Sequence, residues 1–343
     1  MDEQFNSSME QLEEPPEKPG VLKILTPFAA TGLIFWWIFR GMDIVGLKAA
    51  LGKAHFGLAV GVMTAYCMIF FMVDLLSFGY GYKWYLTKKV GWKDIAIIRW
   101  GMYLPQVALA PIAEIIPPTY FRRTWRAKVL HTIGSEIYVL FCDSYCNVAV
   151  LSLGLLLAGM SVGMGWIYFV TGMWVLLALT WLYWLTPLRD RLLPKLRDNP
   201  LMHSFKKAPL KHYFAFFGIR SILALSNLVA GWTLLEALDV RLPVTHLMLL
   251  VPVMMVSTFL PISAGGYGGP QGAAVLLLVQ LWNHTDSETA VAYSLLWSTF
   301  FAFGRAFMGA VFAWPVWNLL RKKTYALEMK KPEAETSGAD KGE

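Results

Sequence analysis

The chain has 343 residues, of which 56% are hydrophobic and 15% are charged, and its formal net charge is +7. Soluble domains carry about 25% charged residues, so this composition excludes an ordinary soluble protein and indicates an integral membrane protein. The basic residues lie in short loops between apolar runs. This distribution argues against nucleic-acid binding and is typical of loops that lie beside anionic lipid.

The apolar runs predict the transmembrane domain. Residues 1–20 form a polar, acidic tail that we expect to be disordered, and that lacks the basic start of a cleaved signal peptide. Six runs are long enough to cross the hydrocarbon of a bilayer: 22–39, 56–79, 129–159, 163–186, 212–238 and 289–319. We therefore expect a single transmembrane domain over 21–320, and a basic-to-polar cytoplasmic tail over 321–343.

Two further apolar stretches are interrupted by helix-breaking residues. Residues 95–118 contain four prolines, and residues 244–282 contain three prolines and a glycine-rich turn. Proline removes a helical hydrogen bond and glycine weakens a helix, so neither stretch is expected to form an uninterrupted spanning helix. Backbone amides in lipid must be satisfied within their own segment, and the alternating pattern of barrel strands is missing, so the remaining structure is predicted to be helical.

The positions of the basic loops predict how the broken stretches enter the membrane. If each broken stretch dips into the membrane and returns to the same face, all basic loops face the cytoplasm: 83–93, 122–128, 189–211 and 321–331. The predicted fold class is an all-α polytopic bundle with about six full spans and two re-entrant segments. Its repeat halves would be about 21–160 and 161–320, in inverted orientation. The alternative is eight spans with proline kinks. Both termini are expected in the cytoplasm, and a bacterial inner membrane is the expected location.

Polar residues inside the spans predict a cavity. The candidates are Glu136, Asp143 and Asn147 on one span, Arg220 and Asn227 on another, and Arg305 on the last. The first three lie within about 20° of one stripe of their helix. Charges in lipid are costly and usually face the bundle interior, so we expect these faces to line a polar cavity. The alternative is a set of ion pairs that fix helix packing. Asp74 stands alone deep in the second span.

The glycine-rich turn is the most specific segment, and it adds further candidates: Ser263, Gly265, Gly266, Gly268 and Gln271. Glycine lets the backbone approach a ligand closely, and the start of the following helix presents free amides to a phosphate or carboxylate headgroup. The turn lacks the Gly-Lys-Ser/Thr ending of a nucleotide-binding loop. No catalytic residue, metal site or cofactor is predicted.

Residues 261–268 read Pro-x-Ser-x-Gly-Gly-x-Gly. This block resembles that of the lysylphosphatidylglycerol synthase transmembrane family, also called flippase-like membrane proteins, and Arg305 resembles an arginine that members carry in the next span. The resemblance covers roughly 22–320 and implies movement of a polar-headed lipid between leaflets. The chain departs from the family pattern at Pro270 and Gln271, where members often have Arg-Glu.

The leading functional hypothesis is translocation of an anionic or modified lipid between leaflets. One alternative is a non-transporting partner or scaffold of a lipid- or glycan-modifying system. Another is an intramembrane enzyme acting on a lipid headgroup, although the sequence offers no recognisable pairing of nucleophile and base. The expected partners are membrane lipid, with anionic lipid at the cytoplasmic face, and no nucleic acid. A second copy of the chain and a lipid-modifying enzyme remain open as protein partners.

Overall fold

A computed structural model describes residues 43–108, 113–158, 164–187, 194–259 and 267–328, together with residues 29, 32, 33, 36, 38 and 40. Most of the first predicted span, the tail at 1–20 and residues 329–343 lie outside this set. No strand occurs within the described ranges, and the prediction of an all-α polytopic bundle is confirmed.

The helices follow one another in an order set by the apolar runs and the prolines. They are α1 (Ile44–Lys53), α2 (Phe56–Tyr85), α3 (Trp92–Gly101), α4 (Tyr103–Ala108), α5 (Ile116–Trp125), α6 (Val129–Ala158), α7 (Met164–Leu185), α8 (Pro194–Arg197), α9 (His203–Lys207), α10 (Leu210–Glu236), α11 (Val244–Phe259), α12 (Gly269–Ala274) and α13 (Ser287–Glu328). A 3₁₀ turn at Pro200–Met202 precedes α9, and α12 continues in π-helical geometry over Val275–Leu281.

Five of the described helices are long and apolar enough to cross a membrane: α2, α6, α7, α10 and α13. They coincide with five of the six predicted full-length runs, and the sixth run, 22–39, is the one that lies mostly outside the described residues. Helix α2 has 30 residues, so at about 1.5 Å per residue it exceeds the roughly 30 Å of hydrocarbon that a span must cross.

The basic loops lie at one end of the bundle. The hydroxyl of Tyr85, at the end of α2, lies 3.0 Å from Nδ1 of His212, at the start of α10. The rings of His131, at the start of α6, and His203, on α9, stack with their centroids 3.8 Å apart. The loops that follow α2, precede α6 and precede α10 therefore meet at one end, called here the basic end.

The opposite end is acidic. The amide of His55, before α2, donates to the carbonyl of Ala237, just after α10, at 2.8 Å. The amide of Asp43 donates to Glu288, at the start of α13. A hollow of about 590 Å³ at this end is lined by four carboxylates, those of Asp43, Asp239, Asp286 and Glu288, and by one ammonium group, that of Lys53. We call this the acidic end.

Each broken stretch begins and ends at the same end of the bundle. The first, α3 to α5, follows the end of α2 and precedes the start of α6, both at the basic end, and its arms α3 and α5 contact each other. The second, α11 and α12 with the π-helical turn, lies between the end of α10 and the start of α13, both at the acidic end. A hydrogen bond of 2.9 Å between His246 and His284 joins its two ends. The eight-span alternative would need the ends of each stretch on opposite sides, so the described residues favour two re-entrant elements.

The first broken element packs very closely against α13. A Cβ atom added at Gly309 would lie 2.1 Å from the backbone nitrogen of Leu104, and one at Gly101 would lie 2.0 Å from Cγ2 of Val316. Contacts this short between two helices require a residue without a side chain at the crossing. Gly309 therefore fixes the approach of the first broken element to α13.

Candidate functional site

A cavity of about 130 Å³ lies inside the bundle, among α2, α3, α4, α6, α10, α11 and α13. Polar side chains line much of its wall: Asp74, Arg99, Gln106, Asp143, Asn147, Arg220, Asn227, Thr258, Ser298 and Arg305. Aromatic rings cover much of the remainder. Four spanning helices and one arm of the first broken element therefore place charged side chains around one hollow.

Arg220 is the cavity residue with the clearest capacity for a ligand. Its side chain is 3% exposed, and within the described part of the chain its Nε and Nη2 atoms have no hydrogen-bond partner. The same holds for the Oδ1 oxygen of Asn227, seven residues later on the same face of α10. Buried donors without acceptors are costly, and a guanidinium presents them in a fork that matches phosphate and carboxylate oxygens. The arrangement is suited to an anionic group.

The acidic neighbour of Arg220 within the described ranges is Asp143, on α6. The distance from Nη1 of Arg220 to Oδ1 of Asp143 is 3.7 Å, which is too long for a good hydrogen bond. Asn147, one turn further along α6, donates to the carbonyl of Asp143 at 3.1 Å. Asp143 and Asn147 thus line the cavity beside Arg220, as their helical spacing predicted, and leave most of the guanidinium's donors open.

Asp74, which lies alone in its own span, is paired with a residue of another helix, in agreement with the ion-pair alternative. Nε and Nη2 of Arg99 donate to its two carboxylate oxygens at 3.0 and 2.9 Å, and both side chains are buried. The partner comes from α3, in the first broken element, which folds back against α2. Cζ of Arg99 also lies 3.6 Å from the centroid of the Phe78 ring, and Cζ of Arg220 lies 5.3 Å from the same ring.

Arg99 was not among the residues predicted for the site. It lies inside the stretch 95–118, which the sequence analysis treated as apolar, and its partner is 25 residues away in the chain. An unpaired arginine in a segment that enters the membrane is energetically costly. Its presence in this stretch could therefore have indicated a buried ion pair.

Glu136 lies behind the cavity wall rather than in it. Its Oε1 accepts a hydrogen bond from the hydroxyl of Tyr82 and lies 3.9 Å from Nη1 of Arg99. Asp74, Tyr82, Arg99 and Glu136 therefore form one buried group, called here the Arg99 cluster. The predicted stripe of α6 is divided, because Glu136 contacts this cluster while Asp143 and Asn147 face the cavity.

Helix α13 contributes the opposite wall through Ser298 and Arg305. Arg305 is 9% exposed, and its Cζ lies 4.5 Å from the centroid of the Phe301 ring, which is within the range of a cation–π contact. The predicted cavity residue Arg305 thus lies around the same hollow as Arg220.

Gln271 binds within the protein rather than facing the cavity. Its Oε1 accepts from the amide of Gly268 at 2.6 Å, and its Nε2 donates to the carbonyl of Ser294 at 3.2 Å and to Oγ of Ser298 at 3.1 Å. Gly268 has a φ of 95°, which favours glycine. These contacts fasten the start of α12 to α13. The other predicted turn residues, Ser263, Gly265 and Gly266, lie outside the described residues.

The fold and the cavity define a polytopic α-helical membrane protein with charged side chains buried around an internal hollow. Residues 24–304 match the model of the family described as the lysylphosphatidylglycerol synthase TM region. The chain belongs to this family, and the resemblance inferred from residues 261–268 is confirmed. A comparison with curated proteins found no match. Family membership links the protein to the handling of membrane lipids.

Proposed function

We propose that the protein moves a polar-headed lipid, anionic or modified, between the two leaflets of its membrane. The headgroup occupies the cavity while the acyl chains stay in the bilayer. The observation that carries this proposal is the buried guanidinium of Arg220, whose Nε and Nη2 have no acceptor among the residues that the structure describes. A phosphate or carboxylate oxygen of a headgroup supplies the missing acceptors.

The two re-entrant elements supply the moving parts. They enter from opposite ends of the bundle, and both contribute residues to the cavity: Arg99 from the first, Met255 and Thr258 from the second. Opposed broken segments that meet near the middle of a membrane protein are typical of transporters that open alternately to each side. On this proposal the halves 21–160 and 161–320 are the inverted repeats, with the basic end and both termini in the cytoplasm of a bacterial cell.

Entry of a headgroup requires the wall of the cavity to move, because aromatic side chains make up much of that wall. Tyr66, Phe70 and Phe301 form part of the wall that would have to move.

The test is a leaflet-exchange assay with purified protein in liposomes that contain phosphatidylglycerol labelled on an acyl chain. The wild type should accelerate exchange, and Arg220→Gln should lose most of this activity because it removes the charged fork. Arg241→Gln is the matched control, since Arg241 is exposed near the acidic end and should leave the rate unchanged. Arg220→Lys should recover only part of the rate, because lysine cannot bind two oxygens in parallel.

Three outcomes separate the alternatives. Exchange at the wild-type rate by folded Arg220→Gln protein would remove Arg220 from the site. Exchange lost equally in Arg220→Gln and Arg241→Gln would point to damage rather than to a binding role. If the folded wild type moves neither phosphatidylglycerol nor aminoacylated or glycosylated lipids, a role as partner of a lipid- or glycan-modifying system becomes the better explanation.

A further inference from the structure

The Arg99 cluster has more carboxyl groups than cations. The guanidinium of Arg99 donates two hydrogen bonds to Asp74 and lies 3.9 Å from Glu136, whose side chain is 12% exposed. The charged groups that act on Glu136 within the described residues are Arg99 from α3, Asp74 from α2 and Glu114 from the turn before α5. Tyr82 from α2 is its hydrogen-bond donor.

The pairing leaves Glu136 without a counter-charge of its own among the residues that the structure describes. A buried carboxylate is costly unless a cation neutralises it or a proton binds to it. Arg99 already donates hydrogen bonds to both carboxylate oxygens of Asp74, and Glu114 adds further negative charge. The least costly state of the cluster is therefore one in which Glu136 carries a proton and shares a hydrogen bond with Tyr82.

We propose that Glu136 is a proton-binding site linked to the cavity, so that the protein binds a proton together with an anionic headgroup. This inference rests on the proposed function for the identity of the anion. It adds a coupling ion and a residue that holds it.

The link runs through Arg99 and Asp74. When the proton leaves, the Glu136 carboxylate attracts Arg99 and weakens its hold on Asp74. Asp74 lines the cavity, so its uncovered charge repels an anion at Arg220. When the proton returns, Arg99 neutralises Asp74 completely and the cavity favours the anion. Because binding linkage is reciprocal, an anion in the cavity must strengthen proton binding by the same factor.

The consequence for transport is symport of one proton with each headgroup. The proton is exchanged with water and no covalent bond forms or breaks. A difference in pH between the two sides of the membrane therefore drives the lipid in the direction of proton flow. This source of energy requires no nucleotide site.

The proton site can be tested without any ligand, by infrared difference spectra of the protein in vesicles between about pH 5 and about pH 9, the range over which buried carboxyl groups titrate. The wild type should show the C=O band of a protonated buried carboxyl group. Glu136→Gln should lose this band, and Glu236→Gln, which alters an exposed acid on α10, should keep it. A band that persists in Glu136→Gln and disappears in Asp143→Asn or Asp74→Asn would overturn the assignment.

The linkage is tested by calorimetric binding of short-chain phosphatidylglycerol in two buffers that differ in ionisation enthalpy. The wild type should take up protons on binding, with an affinity that falls about tenfold as the pH rises. Glu136→Gln should bind without proton uptake and without pH dependence. Binding by the wild type with no proton uptake would overturn the linkage and leave the proposed function intact, whereas no binding at all by the wild type would count against the proposed function itself.

Discussion

Nη1 of Arg220 and Oδ1 of Asp143 are 3.7 Å apart, so the two charges attract each other without a good hydrogen bond. Arg99 and Asp74, by contrast, share two hydrogen bonds of 2.9 and 3.0 Å. The Arg220–Asp143 pair leaves guanidinium donors available to a ligand. In the Arg99–Asp74 pair both carboxylate oxygens accept hydrogen bonds from the guanidinium. The same two residue types thus form a loose pair in one place and a tightly bonded pair in the other.

This difference predicts unequal losses of stability. Asp74→Asn should lower the free energy of unfolding by about 3–5 kcal/mol, because it leaves a buried guanidinium without its close partner. Asp143→Asn should cost only about 1 kcal/mol, because the pair it breaks is loose. Denaturant titration of both variants in one detergent would measure this. Equal losses would mean that the Arg220–Asp143 pair is as important structurally as the Arg99–Asp74 pair.

The bonds of Gln271 predict a strong effect of adding a charge. Gln271→Glu replaces a fully buried donor with a carboxylate facing the carbonyl of Ser294. We expect a loss of more than about 3 kcal/mol, because a buried charge without a partner is very costly. Ser298→Ala, the matched control, removes one hydrogen bond from the same amide and should cost about 1 kcal/mol. Thermal melting of the detergent-solubilised variants measures this difference in stability. A Gln271→Glu variant as stable as the wild type would contradict the proposal that Gln271 fastens α12 to α13.

The contact between Gly309 and Leu104 predicts that one methyl group is not tolerated. Gly309→Ala places a Cβ 2.1 Å from a backbone nitrogen, so the helices must separate, at a cost of about 1–3 kcal/mol. Gly61→Ala on α2 is the control, because nothing lies within 4 Å of the position that its methyl group would take. The control should be neutral or slightly stabilising, since alanine favours helix. Similar melting temperatures for the two variants would argue against the close crossing.

The histidine stack at the basic end predicts a pH-dependent stability. Burial, reinforced by His131 and Lys207, lowers the pKa of His203 from 6.5 to about 4. Between these values the unfolded chain binds more protons than the folded protein, so the contribution of His203 is present above about pH 6.5 and lost as the pH falls toward 4. Unfolding measured across this window should show a decline that is smaller in His203→Gln. An unchanged decline in that variant would assign the effect to other groups.

The re-entrant path of the first broken element predicts which loops share a side of the membrane. Cysteines introduced at Lys88 and Arg123 should react with an impermeant maleimide from the same side, and a cysteine at Asp286 should react from the other side. The three native cysteines are buried, so they should give little background. Reaction of the first two positions from opposite sides would require the first broken element to cross the membrane.

The spanning helices could be predicted because hydrophobic length is a local property of the sequence. Helical spacing likewise placed Asp143 and Asn147 on one face of α6, and Arg220 and Asn227 on one face of α10. The structure brings these two faces together around a single cavity. Helical spacing thus predicts which residues share a face of one helix, but it does not specify what that face contacts.

The features of the site that could not be predicted depend on contacts between different helices. The partner of Asp74, Arg99, lies on α3, an arm of the first broken element. No periodicity in the sequence specifies which residues of α2 this arm packs against. The position of Gln271 suggested a headgroup contact, yet its bonds to Ser294 and Ser298 arise from the packing of α12 against α13. Glu136 was grouped with Asp143 by spacing, and the approach of Tyr82 and Arg99 separates the two.

Both broken elements are attached to the same helix. The first contacts α13 at Gly309, and the second is bonded to it through Gln271 and Ser298. Helix α13 therefore connects two parts that enter from opposite ends of the bundle. If the protein is a transporter as proposed, a tilt of this one helix moves both parts together, so closure at one end and opening at the other occur in a single movement.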